Sequence, residues 1–394
     1  MGTVNGQVAA ASAPLRGDWR NLVVFCASTP WDGNRFPDQH IAERLTRWAP
    51  VLYVDPPLSV LSAHRHRESA AALEGPRLRL LDQRLARLTP VVVPGKSRRP
   101  IRAVTDVLTR RAIRRAVARL GGDVAATVAA TVLPVFGAAG ERRSVFYGTD
   151  DYAAGAALMG LDAHWVRRRE SEAKARADIV IVVSEHLART WRTADLDPVV
   201  VENGVDERLF GGADEAPLPS DVTLPRPIAG FVGHLSDRID LALLEAVADR
   251  GTSLLLVGPR QLSFEMSRLD ELLRRPNVEW VGPKPFDELA SYVRVMDAGL
   301  LPYADSEFNR ASFPLKVLEY LAAGRPAIAT DLPAVRAIGD VVQIATGGSA
   351  FADAVAAALA APADPVAVEG RRAVAAGRSW DAAAARFAAV IGIA

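Results

Sequence analysis

Phe210-Gly-Gly-Ala-Asp-Glu-Ala-Pro-Leu-Pro-Ser-Asp-Val-Thr-Leu-Pro-Arg-Pro227 decides whether this chain builds one sheet or two. The stretch is rich in glycine, proline and acids and has no apolar periodicity, the composition of a linker between domains. Before it, strand-length apolar runs alternate with helical patterns. Leu22-Val-Val-Phe-Cys26, Val51-Leu-Tyr-Val54, Ser144-Val-Phe-Tyr147, Ile179-Val-Ile-Val-Val183 and Val199-Val-Val201 read as strands. Asp38 to Trp48, His164 to Ala177 and the segment from Glu185 read as helices. After it the rhythm restarts with Ile228-Ala-Gly-Phe-Val-Gly233 and continues through Leu254–Val257, Val278–Val281, Gly299–Leu301 and Ala327–Ala329, with a helix from Asp240 to Ala248 and others near Leu269, Glu288 and Val317. Such βαβ alternation implies parallel sheets covered on both faces. The expected architecture is α/β: two Rossmann-like, doubly wound domains, residues 1–205 and 228–375, facing a cleft. Residues 206–227 form the linker. A final helix, 376–394, is expected to pack back toward the first domain.

Composition agrees with two domains. The chain has 394 residues, 49% of them hydrophobic and 24% charged, a globular composition too long for one ordinary core. Cys26 is the single cysteine, so no disulfide forms within the chain and a reducing cytoplasm is expected. Residues 1–14 lack the features of a signal peptide, and no apolar run is long enough to span a membrane. The net charge of +1 hides an asymmetry. Residues 1–205 hold 29 Lys and Arg against 21 Asp and Glu, and the remainder holds 18 against 25. The two halves can attract each other across the cleft, or the basic half can face something anionic.

Open α/β sheets bind ligands beyond the carboxyl ends of their strands, so the loops there carry the chemistry. In the second half, Gly233 ends a strand and His234-Leu-Ser-Asp-Arg238 leads into a helix, where an anion is favoured and Arg238 adds a charge-assisted contact. Further on, Ser312 stands where an N-cap belongs, with Pro314 in the first turn, Lys316 next and Glu319 three residues on. Lys316 and Glu319 share one helix face. They suit a nucleotide diphosphate, the ammonium meeting phosphates and the carboxylate meeting ribose hydroxyls. A surface i,i+3 ion pair explains the same spacing.

Phe313-Pro-Leu-Lys-Val-Leu-Glu-Tyr-Leu-Ala-Ala-Gly-Arg-Pro-Ala-Ile-Ala329 resembles the donor-site signature of GT-B glycosyltransferases of the group 1, family 4-like kind. It is similar in particular to the bacterial branch reading Pro-x-Lys-x-x-Glu-Tyr. Val201-Glu-Asn-Gly-Val-Asp206, Phe231-Val-Gly233, Leu256-Val-Gly258 and Asn277-Val-Glu-Trp-Val-Gly282 extend the likeness from about Ala177 to Pro333. The resemblance implies a nucleoside-diphosphate sugar as co-substrate, with no separate cofactor. It implies a donor site of Gly233, His234, Arg238, Gly282, Ser312, Phe313, Leu315, Lys316 and Glu319, with Glu319 on ribose and Lys316 on the diphosphate. Two departures stand out. Many retaining members carry a second Glu eight residues before the first, where this chain has Ala311, and the usual Arg-x-x-x-x-Lys pair is reduced to Arg238.

The acceptor is expected on the first domain. Thr29-Pro-Trp-Asp-Gly-Asn-Arg-Phe-Pro37 offers Trp31, Asp32 and Arg35 to a sugar or an anion, with Asp38 as a candidate helix cap. Tyr147-Gly-Thr-Asp-Asp-Tyr152 offers two carboxylates after a strand; a close pair raises one pKa, which suits a general base. Asp151 is the preferred base and Asp150 the next; the capping of a following helix accounts for them equally simply. No histidine spacing or Asp-x-Asp motif points to a metal. Residues 77–119 carry about a dozen Arg and Lys. There Val104, Leu108, Ile113, Val117 and Leu120 read as an apolar side beside Arg110, Arg111, Arg114 and Arg115, either a helix packed on the sheet or one lying on an anionic membrane. No aromatic interleaving suggests nucleic acid. The expected activity is transfer of a sugar to a hydroxyl of a glycan, lipid-linked or small-molecule acceptor, in the cytoplasm or on the inner membrane face. The alternatives are a nucleotide-sugar epimerase and a non-catalytic nucleotide-sugar-binding protein.

Overall fold

The computed structural model describes residues 17–32, 35–59, 75–94, 99–158, 160–261, 264–362 and 364–394. Its first sheet runs, in spatial order, Val199–Val200, Ile179–Val182, Arg143–Gly148, Val124–Ala129, Leu22–Cys26, Val51–Val54, Leu85–Leu88 and Leu78–Asp82. Every pairing is parallel except the last, where Leu78–Asp82 runs antiparallel along the edge. The second sheet runs Val278–Trp280, Ser253–Val257, Ile228–Val232, Ala298–Leu301, Ala327–Ala329 and Val342–Ile344, all parallel.

In each sheet the winding reverses beside the first strand. The switch lies between Leu22–Cys26 and Val124–Ala129 in the first sheet and between Ile228–Val232 and Ala298–Leu301 in the second. Neighbouring crossovers leave in opposite directions at such a point and open a crevice. The loops beginning at Ala27, Gly233 and Pro302 therefore line crevices.

The last helix, Trp380–Ile391, lies against the first-sheet helix Pro37–Leu45. Phe387 meets Tyr147 edge-on at 5.1 Å, and Arg44 Nε donates to Asp381 at 2.7 Å. The chain crosses itself at Gly204, where an added Cβ would stand 2.3 Å from the Trp380 nitrogen. That close approach explains a glycine in Val201-Glu-Asn-Gly-Val-Asp206. One buried cluster joins Val23, Tyr147 and Phe387 to Tyr320 and Leu301, so the two sheets share a core.

Three local expectations are corrected. Asp38 does not cap its helix; Phe36 holds that position. Asp38 lies inside the first turn, fully buried, and its Oδ2 accepts hydrogen bonds from Ser28 N and Oγ, both at 2.7 Å, which ties the first crevice loop to the helix. Burial pushes its pKa up to about 6 against those bonds. The linker begins as structure: Asp206 caps the short helix Glu207–Gly211, and Phe210 is buried against Phe286 at 5.9 Å. A helix does span Arg99–Leu120, but its buried side is Thr105, Thr109, Ile113, Ala116 and Leu120. Val104 faces outward, as does Val107.

Candidate functional site

The candidate site is built on the helix Leu315–Ala322. Its seat is Gly299: a Cβ there would lie 2.2 Å from the ring of Tyr320, so the ring packs directly on the strand backbone. Tyr320 Oη accepts from Val232 N at 2.9 Å. These contacts fix the helix at the switch point and aim its first turn into the crevice. Pro314, not Ser312, occupies the N-cap, and Ser312 instead closes a preceding helix, Glu307–Ala311. Lys316 Nζ reaches both oxygens of Glu319, at 2.9 and 2.8 Å. Burial raises the Glu319 pKa and Lys316 opposes that rise.

Lys316 and Glu319 line a cavity of about 210 Å³ that draws on both domains. Gly233, His234, Arg238, Phe313 and Leu315 join them from the second domain, as expected. Arg35, assigned to the acceptor by sequence, lines this cavity too. Arg35, Arg238, Lys284 and Lys316 line it beside one carboxylate, Glu319; Arg35 also pairs with Glu43 and Lys284 with Asp221. Arg238 and Lys316 on one wall suit an anion such as a diphosphate. Arg238 lies between the rings of Tyr303 and Phe308, 4.7 and 4.9 Å from their centroids, and its Nε donates to Asn309 Oδ1 at 3.0 Å. Burial and Arg238 hold the His234 pKa below its usual value.

Gly282 and Ser312 do not line the cavity. Gly282 sits behind it at φ +73°, its carbonyl accepting from Gly258 N at 2.8 Å. Gly258 does line it; a Cβ there would strike the Gly233 carbonyl oxygen at 2.0 Å. Sequence reasoning also missed His40, Phe286 and Trp380, which form an aromatic wall. Lys284 pairs with Asp221, and Tyr292 donates to the same carboxylate at 2.8 Å.

The remaining first-domain candidates lie outside the cavity. Trp31 N donates to Asp55 Oδ1 at 2.8 Å, and its ring meets Tyr53 edge-on at 5.0 Å. Asp32 is held by Arg87, a buried side chain that also binds Asp55 through Nε at 2.7 Å. Asp150 and Asp151 do not work as a pair. Asp151 Oδ1 accepts from Ala154 N at 2.9 Å and so caps its own turn; no helix follows directly. Asp150 instead reaches across the cleft, accepting from Ser312 Oγ at 2.8 Å. Burial raises its pKa, while Arg238 and Ser312 act against that rise. The first-domain loop and the helix Glu307–Ala311 touch again at Gly155, where a Cβ would stand 2.5 Å from the Phe308 ring. Among the described residues, no group of three or more His, Cys, Asp or Glu side chains is arranged to hold a metal ion.

Comparison with known proteins fits this geometry. Residues 226–361 match the family model described as glycosyl transferases group 1. A 165-residue stretch is 37% identical to the putative teichuronic acid biosynthesis glycosyltransferase TuaH of Bacillus subtilis; it covers 40% of this chain and 41% of that protein. Sucrose-phosphate synthase of Thermosynechococcus elongatus superposes with a TM-score of 0.73 at 18% identity, covering 94% of this chain and 98% of that one. Anabaena HepE in complex with UDP and glucose superposes with a TM-score of 0.66 at 15% identity, covering 95% and 99%. The chain has the GT-B fold, and its second domain matches the family model of the group 1 glycosyltransferases.

Proposed function

We propose that the protein transfers a sugar from a nucleoside-diphosphate sugar to an acceptor hydroxyl across the cleft. The observation that carries this reading is the Lys316–Glu319 pair, set in a cavity also lined by Arg238, by Arg35, which pairs with Glu43, and by Lys284, which pairs with Asp221. On donor binding Lys316 leaves Glu319 for the diphosphate, and Glu319 accepts from the ribose hydroxyls. The complex of HepE with UDP and glucose supports a uridine nucleotide as the first donor to test. The name of TuaH supports an anionic cell-surface glycan as acceptor.

Glu319→Ala is expected to weaken nucleoside-diphosphate binding by roughly 30-fold, the worth of about 2 kcal/mol in hydrogen bonds to a charged acceptor. Calorimetry with uridine diphosphate measures it, and wild-type affinity in the variant would end this reading. Incubation with donor alone tests the epimerase alternative, which requires an epimer to accumulate.

Asp150 is the base in this scheme. It touches Ser312, next to the cavity residue Phe313, and it feels Arg238, whereas Asp151 is turned into its own loop. The enzyme works on the inner face of an anionic membrane. Supporting this, the helix Arg99–Leu120 exposes Val104 and Val107 beside Arg111, Arg114, Arg115 and Arg119. No single helix among the described residues is long and apolar enough to cross a membrane. Each such arginine is worth about 1 kcal/mol at an anionic surface, so Arg111→Gln with Arg115→Gln lowers vesicle partitioning by about 30-fold. Co-sedimentation with phosphatidylglycerol vesicles checks this, and equal partitioning of variant and wild type rules the surface out.

A further inference from the structure

We propose that His40, from the first domain, is a ligand of the donor nucleotide: its imidazole Nε2–H donates a hydrogen bond to an oxygen of the nucleoside diphosphate. The inference rests on the nucleotide-sugar reading of the cavity and adds a contact from the opposite domain.

His40 lies on the helix Pro37–Leu45, one turn in from the crevice loop that ends at Phe36. It is buried, yet it lines the cavity that holds Lys316 and Glu319. Its ring cannot turn freely. One face stacks on Trp380 with centroids 4.7 Å apart and planes at 7°, and the ring also meets Phe286 at 5.3 Å and 63°. These partners come from the C-terminal helix and from the second domain, so the ring is held at the junction of three distant segments.

The tautomer follows from its neighbour. Arg44 Nη1 stands 3.4 Å from His40 Nδ1, and a guanidinium only donates. Arg44 is itself anchored to Asp381. Nδ1 is therefore the acceptor and Nε2 carries the proton. Among the described residues Nε2 has no protein partner. A neutral N–H group in a cavity shared with Arg238 and Lys316 is complemented by an oxygen rich in lone pairs on an anionic ligand.

The charge state is equally fixed. Burial pushes the His40 pKa down to about 3, and Arg35, Arg44 and Lys316 push the same way. Glu319 across the cavity is neutralised by Lys316, Glu43 by Arg35, and Asp381 by Arg44 and Arg47, so no free carboxylate restores the proton. His40 remains a donor of constant strength across the range in which an ordinary histidine titrates.

The test uses the full chain and the nucleotide sugars UDP-glucose, ADP-glucose and GDP-mannose, whose esterified phosphates keep fixed charge near neutrality. Calorimetry compares the wild type with His40→Phe, which keeps the aromatic stack, and His40→Gln, which keeps an N–H donor. His40→Phe is expected to weaken the bound nucleotide sugar about tenfold, the effect of one hydrogen bond to a charged group. His40→Gln is expected to regain part of that loss, and wild-type affinity to stay flat between about pH 5.5 and about pH 7.5. If the wild type binds and His40→Phe binds equally well, the His40 contact is overturned and the cavity reading stands. A wild-type affinity that changes with a midpoint near the ordinary histidine value, a change absent from His40→Phe, overturns the neutral-donor form of the contact, because the ring would then be charging. If the wild type binds none of the panel, the cavity reading itself falls.

Discussion

Asp150→Asn is expected to lower kcat by roughly 100- to 10,000-fold, the usual contribution of a positioned general base. Nucleotide affinity should hardly change, because Asp150 meets the donor site only through Ser312 and Arg238. A loss in kcat without a loss in donor binding is the signature of a group acting in the transition state. The pH profile provides an independent check. Burial raises the Asp150 pKa, so the base is protonated, and activity lost, as pH falls through a value above the ordinary carboxylate range. That acid limb should vanish from the residual activity of Asp150→Asn. It should move to higher pH in Ser312→Ala, because the serine hydroxyl now favours the ionised form. A base on the first domain also requires inversion at the transferred carbon, which NMR of the product anomer reads directly. An Asp150→Asn enzyme with most of its turnover would remove Asp150 from the mechanism, and the same experiment on Asp151 would then decide the role.

Arg87→Met is expected to have the largest effect on stability, about 3 to 5 kcal/mol, because it leaves the buried Asp55 carboxylate without its cation. Asp55 accepts from Arg87 Nε at 2.7 Å, Thr89 Oγ1 at 2.6 Å and Trp31 N at 2.8 Å. Both ion-pair side chains are only 2% exposed. Two neutral donors cannot offset the desolvation of that carboxylate. Urea denaturation followed by tryptophan fluorescence measures the loss. Adding Asp55→Asn to Arg87→Met should restore part of it, since the amide oxygen keeps an acceptor and the charge is gone. A drop below about 1 kcal/mol for Arg87→Met would mean that water reaches the pair and screens it. Arg87 also holds Asp32, so the variant should loosen the Trp31–Asp32 loop and raise the acceptor KM more than the donor KM.

The strands legible in the sequence were those written as runs of large aliphatic or aromatic residues. Ile179–Val182 and Ser253–Val257 fall where their apolar runs stand. Val124–Ala129 was not legible, although it lies at the centre of the first sheet. Its sequence Val-Ala-Ala-Thr-Val-Ala has little side-chain bulk, and only its burial between neighbours makes it a strand. Lys316 and Glu319 could be read because one helix carries both and the surrounding motif is local. The aromatic wall could not, because His40, Phe286 and Trp380 are far apart in sequence and meet only after both sheets fold. Arg87 was hidden for a related reason. It stands in a run of exposed arginines, and its partner Asp55 lies on the neighbouring strand's loop, 32 residues earlier. Asp150 and Asp151 look alike in sequence. Only the approach of Ser312 from the other domain separates them.

Phe308 rests on Gly155 of the first domain, and it also supports the Arg238 guanidinium in the cavity. One ring thus joins the contact between the domains to the guanidinium that can meet an anion, and such linkage is reciprocal. Whatever free energy an anion gains from Arg238 as Phe308 holds it, the contact of Phe308 with Gly155 gains from the anion.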